Sequence, residues 1–184
     1  MFCIFKFKIS MTILAVNSDK TEKEFHQLPF TIYKNDKYWV PHLKQDIEKV
    51  FSKTHNKFFR HGEAVRWILQ KEGKTIGRIA AFINEKANKK SNTKIGGLGF
   101  FECIDNEQAA FALFDTAKQW IADKGMDTIE GPINFGEKDK YWGLIIENFE
   151  YPPYYNQNYN PAYYVPFFEN YGFKKYYEQF IFYR

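Results

Sequence analysis

The chain has 184 residues, of which 45% are hydrophobic and 20% are aromatic, including 20 Phe and 13 Tyr. This length suits one domain with a substantial core, and so many rings predict that some line a groove or an interface. The 26 basic and 22 acidic residues are interspersed and give a net charge of only +4. This pattern argues against a nucleic-acid-binding protein.

The start of the chain is apolar but short. Met1–Ser10 is interrupted by Lys6 and Lys8 and has no small-residue cleavage site, so it is neither a membrane span nor a signal peptide. Met11 precedes an apolar run, Thr12–Val16, which predicts the first strand. Residues 1–10 are therefore either an extension of the gene model upstream of Met11 or an additional edge strand, and residues 11–184 form the expected single domain.

Cysteine and histidine usage favours neither disulfides nor metal. Cys3 and Cys103 lie far apart, which predicts a protein of a reducing compartment, the cytoplasm, without a disulfide framework. The histidines show no ligand spacing with cysteine or acidic residues, so no metal site is expected: they are His26, His42, His55 and His61. Nucleophile-elbow, P-loop and dinucleotide-binding glycine motifs are also missing from the sequence.

Two helices are predicted after the first strand. Thr21–Glu24 has the form of a capping box, and Phe25, Leu28 and Ile32 follow at helical spacing. Pro29 is expected to kink this helix or to end it early. A second helix is predicted over Leu43–Phe51, with one apolar face.

A β-hairpin and a further strand come next. Ala64–Gln70 and Thr75–Ile83 flank a turn at Glu72-Gly73. The polar segment Glu85–Lys94 is predicted to be a loop, and Ile95–Ile104 is predicted to be a strand. Three glycines predict a bulge or a close backbone approach in that strand: Gly96, Gly97 and Gly99.

The clearest helical pattern covers Asn106–Lys124. Its start resembles a capping box formed by Asp105 and Gln108, and Gly125 is placed to end it as the C′ residue. A short strand, Thr128–Glu130, follows. The apolar stripe of the helix consists of Ala110, Leu113, Phe114, Ala117, Trp120 and Ile121.

The last part of the chain begins with a long aromatic segment without periodicity, Gly131–Asn160. A segment of this length is too long for a plain connector. A helix then follows with Pro166 in its first turn and Gly172 as its C-cap. Tyr176–Phe182 is predicted to be a strand whose open edge pairs with a second lobe, a second copy of the chain, or Phe2–Ile9.

The order of these elements resembles the GCN5-related N-acetyltransferase (GNAT) fold over about residues 12 to 183. The resemblance implies an α+β protein with a central, mostly antiparallel mixed sheet flanked by helices. It also implies acetyl-CoA or a longer acyl-CoA as the acyl donor. In the family, a loop of the form Gln/Arg-x-x-Gly-x-Gly/Ala binds the pyrophosphate at a helix N-terminus. Here that loop is Asp105–Ala110, of which only Ala110 conforms.

The resemblance implies a set of donor-binding residues along the fourth strand and the following helix. An alternative needs no ligand, because a capping box of Asp105 and Gln108 explains the residue types at the helix start. The implied set is Phe101, Cys103, Asn106, Gln108, Ala109 and Ala110.

The resemblance also suggests catalytic positions. Glu102 lies where the family places a general base on the fourth strand, although it could instead belong to the solvated face of an alternating strand. The family's proton-donating tyrosine is replaced by Phe168, and Tyr164, one turn earlier, is the nearest substitute unless it serves only in packing. Residues expected to bind the acceptor are Asn134, Tyr141, Trp142 and Tyr163.

Less general motifs narrow the resemblance to a bacterial group of large GNAT-like proteins that includes the bacterial ceramide synthase type. Members of this group are about twice as long, so the chain resembles their N-terminal half. The resemblance implies two alternative functions. The first is an N-acyltransferase whose amine acceptor is a small molecule or a lipid-like long-chain amino base. The second is a non-catalytic lobe that packs against a partner, either a missing C-terminal lobe or a second copy in a homodimer. The motifs are Leu28–Tyr33, Trp39–Leu43, Gly77–Ala81, Gly99–Glu102, Glu130–Asn134, Asn160–Tyr164 and Gly172-Phe173.

Overall fold

A computed structural model describes residues 10–89 and 92–182. Its sheet has five strands in the order β1-β2-β3-β4-β5, of which β1 to β4 are antiparallel and β5 runs parallel to β4. The α+β fold with a mixed, mostly antiparallel sheet is confirmed. The strands are β1 (Met11–Ala15), β2 (Gly62–Lys71), β3 (Lys74–Asn84), β4 (Ile95–Cys103) and β5 (Thr128–Glu130).

Helices cover both faces of this sheet. On one face, α4 and α5 pack on a core built around Leu98, Phe101 and Phe114. On the other face, α1 and α2 enclose a second core around Phe25 and Ile68. The helices are α1 (Asp19–Ile32), α2 (Lys44–Phe51), a 3-10 turn (Lys57–Arg60), α3 (Glu85–Asn88), α4 (Glu107–Asp123) and α5 (Tyr164–Tyr171).

The predicted N-caps of the two long helices are wrong by one or more residues. Helix α1 begins earlier, because Ser18 accepts a hydrogen bond from the Thr21 amide and forms the capping box with it. Helix α4 is capped by Asn106, whose side chain accepts from the Ala109 amide. Ser18 lies three residues before the predicted cap Thr21, and Asn106 directly follows the predicted cap Asp105. Both are good capping residues, so the sequence alone does not decide between the neighbouring candidates. Gly125 follows α4 with a φ of 76°, as predicted.

Pro29 does not end α1 early, because the helix continues to Ile32. A proline in a helix leaves the carbonyl four residues earlier without its usual donor. That carbonyl belongs to Phe25, and Arg78 of β3 donates to it at 2.7 Å. A side chain from the sheet therefore replaces the hydrogen bond that the proline removes.

The predicted bulge in β4 is present and changes which face its last residues occupy. Arg78 pairs with Glu102 and Ala80 pairs with Gly99, so β4 carries one extra residue, and Phe100 has a φ of 50°. In an uninterrupted strand, Glu102 would share the α4 face with Leu98. The extra residue moves Glu102 to the face covered by α1.

The long segment 131–160 is held by three asparagines spaced two residues apart. The Asn156 carbonyl accepts from the Tyr141 amide at 2.7 Å, and the Asn158 side chain donates to the Gly143 carbonyl at 2.9 Å. Asn160 is buried and binds both the amide and the carbonyl of Ile145. These bonds satisfy backbone groups that have no strand ladder, so the segment is ordered without regular secondary structure.

Two predictions near loops and ends need correction. The predicted loop Glu85–Lys94 begins with the short helix α3. Tyr176–Phe182 has no regular secondary structure and so is not a strand, and Tyr176 and Phe182 are 87% and 84% exposed. A strand requires a hydrogen-bonding neighbour, and the edge strand β5 is only three residues long. The proposed pairing with Phe2–Ile9, like the suggested extra edge strand, involves residues 1–9, which lie outside the described residues.

Candidate active site

Glu102 is the centre of a buried polar network on the α1 face of β4. Its Oε2 atom accepts hydrogen bonds from the Tyr33 hydroxyl at 2.7 Å and from the Tyr164 hydroxyl at 2.8 Å. Its Oε1 atom lies 3.5 Å from Nη2 of Arg78, the residue that faces it across the β-ladder. The solvated-face interpretation of Glu102 is therefore wrong, because its residue exposure is only 8%.

Burial dominates the proton affinity of this carboxyl group. Desolvation raises the pKa of Glu102, and this effect exceeds the opposing charge of Arg78 and the hydrogen bonds from Tyr33 and Tyr164. Burial also raises the pKa values of both phenols well above their ordinary value. Glu102 is thus a carboxyl group with increased basicity, held among groups that stay protonated.

A small cavity of about 40 Å³ lies beside Glu102, near the point where β4 and β5 diverge. The two strands pair only as far as Gly97 and Glu130, and the Leu98 carbonyl instead accepts from the Ile133 amide at 2.8 Å. Six of the fourteen residues that line the cavity are Phe, Tyr or Trp, and the others include charged and amide side chains. The walls are formed by Trp39, His42, Arg78, Phe100, Phe101, Glu102, Pro132, Tyr141, Gly143, Leu144, Asn158, Tyr159, Asn160 and Phe168.

His42 is a second ionisable side chain in the wall of this cavity. Burial, helped by the nearby charge of Arg78, lowers the pKa of His42 to about 4. Its ring lies edge-on to Tyr141, with the ring centroids 4.9 Å apart. His42 is therefore a neutral imidazole near pH 7.

The predicted catalytic pair, Glu102 and Tyr164, lies together. Tyr164 is 1% exposed, and its hydroxyl accepts from the Cys103 amide at 2.7 Å while donating to Glu102. It is absent from the cavity wall. Phe168, which replaces the family's tyrosine, does line the cavity.

The predicted acceptor-binding residues do not form one cluster. Tyr141 lines the cavity, whereas Trp142 contacts Tyr177 of the C-terminal segment, with ring centroids 5.3 Å apart. Tyr163 donates its hydroxyl to the Cys103 carbonyl at 3.0 Å. Asn134 is buried with its Oδ1 atom unpaired and is not part of the cavity wall.

The predicted donor-binding residues divide in a similar way. Phe101 lines the cavity and stacks on Phe114, with centroids 4.7 Å apart. Cys103 is fully buried, and burial raises the pKa of its thiol to about 12. Its amide and carbonyl are already bonded to the α5 tyrosines. Ala109 and Ala110 belong to the first turn of α4 and are buried.

The start of α4 does not fit a pyrophosphate in the way the family sequence motif requires. Asn106 occupies the Ala109 amide with its own side chain. Glu107 is exposed and accepts a hydrogen bond from Asn170 at 2.7 Å, and Asp105 and Gln108 are exposed beside it. Two carboxylates next to a helix N-terminus compete with a phosphate for the positive end of the dipole.

The expectation that no histidine has ligand spacing overlooked His26. Glu22 and His26 lie one turn apart on α1, and Glu48 of α2 joins them, with possible ligand atoms within 4.8 Å of one another. Both carboxylates already have cationic partners, because Lys44 pairs with Glu22 and Arg66 pairs with Glu48. The cluster therefore joins α1, α2 and β2 through ion pairs.

Several site residues could not be identified from their motifs alone, and each is far from Glu102 in sequence. Tyr33 and Trp39 follow α1, Arg78 lies within β3, and Tyr159 ends the long segment. One signal was available for Arg78, which is the only charged residue in the apolar run Thr75–Ile83. A charge in a buried strand requires a buried partner.

Comparisons with known proteins agree with this fold. No family model matches the chain. It is 29% identical to protein YghO of Escherichia coli over 153 residues, which cover 83% of this chain and 39% of that protein. It is 25% identical to bacterial ceramide synthase of Caulobacter vibrioides over 166 residues, which cover 90% of this chain and 43% of that protein. The chain thus spans about two fifths of the length of these curated relatives.

Solved structures with the same architecture are acetyltransferases. The aminoglycoside N-acetyltransferase AAC(6')-Iy in complex with CoA aligns with a TM-score of 0.55 at 14% identity, over 98% of both chains. The aminoglycoside acetyltransferase meta-AAC0020 in complex with sisomicin aligns with a TM-score of 0.52 at 11% identity, over 95% of both chains. The chain therefore has the GNAT fold and is similar in sequence to bacterial ceramide synthase.

Proposed function

We propose that this chain carries the acyl-transfer centre of an N-acyltransferase, with Glu102 as the general base. The observation that carries the proposal is a buried carboxylate of raised pKa in the wall of a cavity at the divergence of β4 and β5. A base whose pKa is raised toward the working pH accepts a proton efficiently from an attacking amine. The named activities of the relatives support the same reaction class.

The reaction requires an acyl thioester and an amine. The amine nitrogen bonds to the acyl carbon, the carbon–sulfur bond breaks, and the proton lost by nitrogen passes to Glu102 and then to the departing thiolate. Tyr164 keeps its hydrogen bond to Glu102 through these steps, because its buried hydroxyl has no direct access to the cavity. Its proposed role is therefore to hold the base in place.

CoA is proposed as the thiol of the donor because the solved relatives include CoA complexes. The start of α4 supplies little of the usual grip on its pyrophosphate, as the acidic residues there show. The acceptor is proposed to carry an apolar part next to its amine, as a long-chain amino base does. Trp39, Phe100, Tyr141 and Leu144 provide apolar walls for such a group.

Product detection tests this proposal. Wild-type protein is incubated with acetyl-CoA or palmitoyl-CoA and a set of amines, including long-chain amino alcohols, and N-acylated products are identified by mass spectrometry. We expect Glu102→Gln to lower turnover by about 10²-fold or more. Glu63→Gln is the matched control, because Glu63 pairs with Lys124 on the surface. Wild-type activity that survives Glu102→Gln would remove Glu102 as the base.

A second candidate function is a non-catalytic lobe that packs against another lobe or a second copy of the chain. Its support is the exposed aromatic segment Tyr176–Phe182 and the partial coverage of the relatives. Light scattering across a concentration series tests self-association. A dimer that is lost in the Phe180→Ser, Phe182→Ser double variant would support this function, and a monomer at every concentration would remove the homodimer.

A further inference from the structure

The two oxygens of Glu102 have different partners. Oε2 accepts two short hydrogen bonds, from Tyr33 and from Tyr164, whereas Oε1 lies 3.5 Å from Arg78. An oxygen that accepts from two hydroxyl groups has little capacity left for an incoming proton. We propose that Tyr33 is a positioning residue that occupies Oε2 and thereby leaves Oε1 of Glu102 as the proton-accepting atom. This inference rests on the proposed function of Glu102.

Tyr33 is fixed from several directions. It is the C-cap of α1, and its amide donates to the Pro29 carbonyl at 2.8 Å. Its ring stacks on Trp39, with centroids 5.0 Å apart, and meets Tyr159 edge-on. The residue is only 3% exposed, and its hydroxyl lies 2.7 Å from Oε2 of Glu102 and 3.2 Å from the Tyr159 carbonyl, so Glu102 is the nearer of its two acceptors. The end of α1 therefore sets the position of the carboxylate.

Helix α1 also fixes the cation near Oε1. Pro29 leaves the Phe25 carbonyl without a helical donor, and Arg78 fills that place through Nη1. The guanidinium group also lies over the Phe25 ring, 4.6 Å from its centroid. Arg78 is thus held by α1 at a distance from Glu102, where it balances the charge without a short hydrogen bond to Oε1.

The groups around Glu102 determine whether its pKa rises or falls when the Tyr33 hydroxyl is removed. Tyr33 from α1, Arg78 from β3 and Tyr164 from α5 contact it, while Tyr163 and Cys103 are coupled to it through its charge. Arg78 is the charged member of this set near pH 7. A phenol that donates to the carboxylate stabilises the ionised form, so its removal raises the pKa of Glu102. His42 lies beyond, coupled to Arg78, and is neutral above its pKa of about 4.

The test is Tyr33→Phe, which removes the hydroxyl and keeps the ring that stacks on Trp39. We expect the acid limb of the pH profile of kcat/KM to move about one unit higher, the size of one charge-assisted hydrogen bond. Tyr171→Phe is the matched control, because its hydroxyl also binds a carboxylate, Asp115, at 2.7 Å, but away from the cavity. An unmoved limb in Tyr33→Phe, or an equal shift in both variants, would overturn the proposal.

A second measurement does not depend on activity. The Glu102 carboxyl carbon is followed by ¹³C NMR during a pH titration, with its signal assigned by its loss in Glu102→Gln. A higher pKa of Glu102 in Tyr33→Phe, with an unchanged pKa in Tyr171→Phe, would support the positioning role. It would do so even if no variant transferred acyl groups. The absence of acyl transfer would count against the proposed function alone. Acyl transfer together with an unshifted titration in Tyr33→Phe would overturn the positioning role alone.

Discussion

Two glutamates on the α1 side of the sheet, the partly buried Glu48 and the buried Glu102, have pKa values shifted in opposite directions. Oε1 of Glu48 contacts Nε2 of His26 and Nη1 of Arg66, both at 2.5 Å. Burial acts to raise the pKa of Glu48, but these hydrogen bonds and the charge of Arg66 outweigh it and lower the pKa to about 2. At Glu102 the cation stays at 3.5 Å, and burial instead raises the pKa.

The contrast shows what contact with a cation does to a buried carboxyl group. Glu48 is a permanent anion that joins α1 and α2 to β2. Glu102 has its charge balanced by Arg78 at 3.5 Å, and it lines the cavity where we propose that it accepts a proton. Two features accompany this difference: the Phe25 carbonyl also binds Arg78, and the Glu48 side chain is more exposed than that of Glu102.

Removing Arg78 should have the largest effect on the difference between Glu48 and Glu102. Arg78→Met leaves Glu102 buried without a cation, and we expect a loss of about 3–5 kcal/mol of folding free energy at pH 7. The folded-state pKa of Glu102 should rise further, so the loss should grow as the pH rises above the ordinary glutamate range and shrink in acid. Urea denaturation at pH 4 and pH 7 measures both effects.

The control for this variant is Arg60→Met, which removes an exposed arginine. We expect it to change the free energy of unfolding by less than about 0.5 kcal/mol. Equal costs for the two variants at pH 7 would contradict the role given to Arg78.

Glu48→Gln should have a smaller effect, which is also lost in acid but over a lower pH range. The pKa of Glu48 is lowered from 4.5 to about 2, so its contribution is present above pH 4.5 and is lost as the pH falls toward about 2. The side chain is 29% exposed, so after solvent screening we expect a deficit of about 1–2 kcal/mol at pH 7.

That deficit should fade in acid, and chemical denaturation at pH 7 and pH 3 measures it. Glu63→Gln serves again as the surface control. A Glu48→Gln deficit that stays constant between the two pH values would mean that the ion pairs of Glu48 contribute nothing to stability.

A third glutamate, Glu107, extends the comparison to an exposed carboxylate, and replacing it should have the smallest effect. Glu107 at the start of α4 is exposed and lies where the family places the pyrophosphate. Glu107→Lys, or Gln108→Gly, should tighten CoA binding about 2- to 5-fold, because each change makes the helix start more favourable to an anion. Calorimetry with CoA measures this, and Glu72→Lys on the β2–β3 turn is the control of equal charge.

Calorimetry that detects no CoA binding in wild type and in all three variants would remove CoA from the proposed function. Equal tightening in Glu107→Lys and Glu72→Lys would instead assign the gain to overall charge.

Local patterns predicted much of the fold. The hairpin, the α4 stripe, the bulge of β4 and the left-handed Gly172 each depend on neighbouring residues, and the structure contains all four. Glu102 and Tyr164 were proposed separately as catalytic residues, and the structure brings them into contact. The prediction for Tyr176–Phe182 failed because a strand depends on an available edge, which no local pattern describes.

The rest of the site depends on contacts between distant segments. Tyr33 contacts Glu102 from 69 positions away in the chain. Pro29 is accommodated within α1 because Arg78, from a distant strand, donates to the Phe25 carbonyl. The face of Glu102 was ambiguous because one bulge residue reverses the alternation of β4. The asparagines that order the long segment act through spatial pairing with residues 15 positions away, and such pairing leaves no periodicity.

The pH dependence of acyl transfer tests the central claim most directly. Because burial raises the pKa of Glu102 above its ordinary 4.5, kcat/KM for the wild type should increase with pH along a limb whose midpoint lies above 4.5 and then level off. Glu102→Gln should lose that limb together with about 10²-fold of the plateau rate. A wild-type limb that Glu102→Gln retains unchanged would contradict the assignment of Glu102 as the proton acceptor.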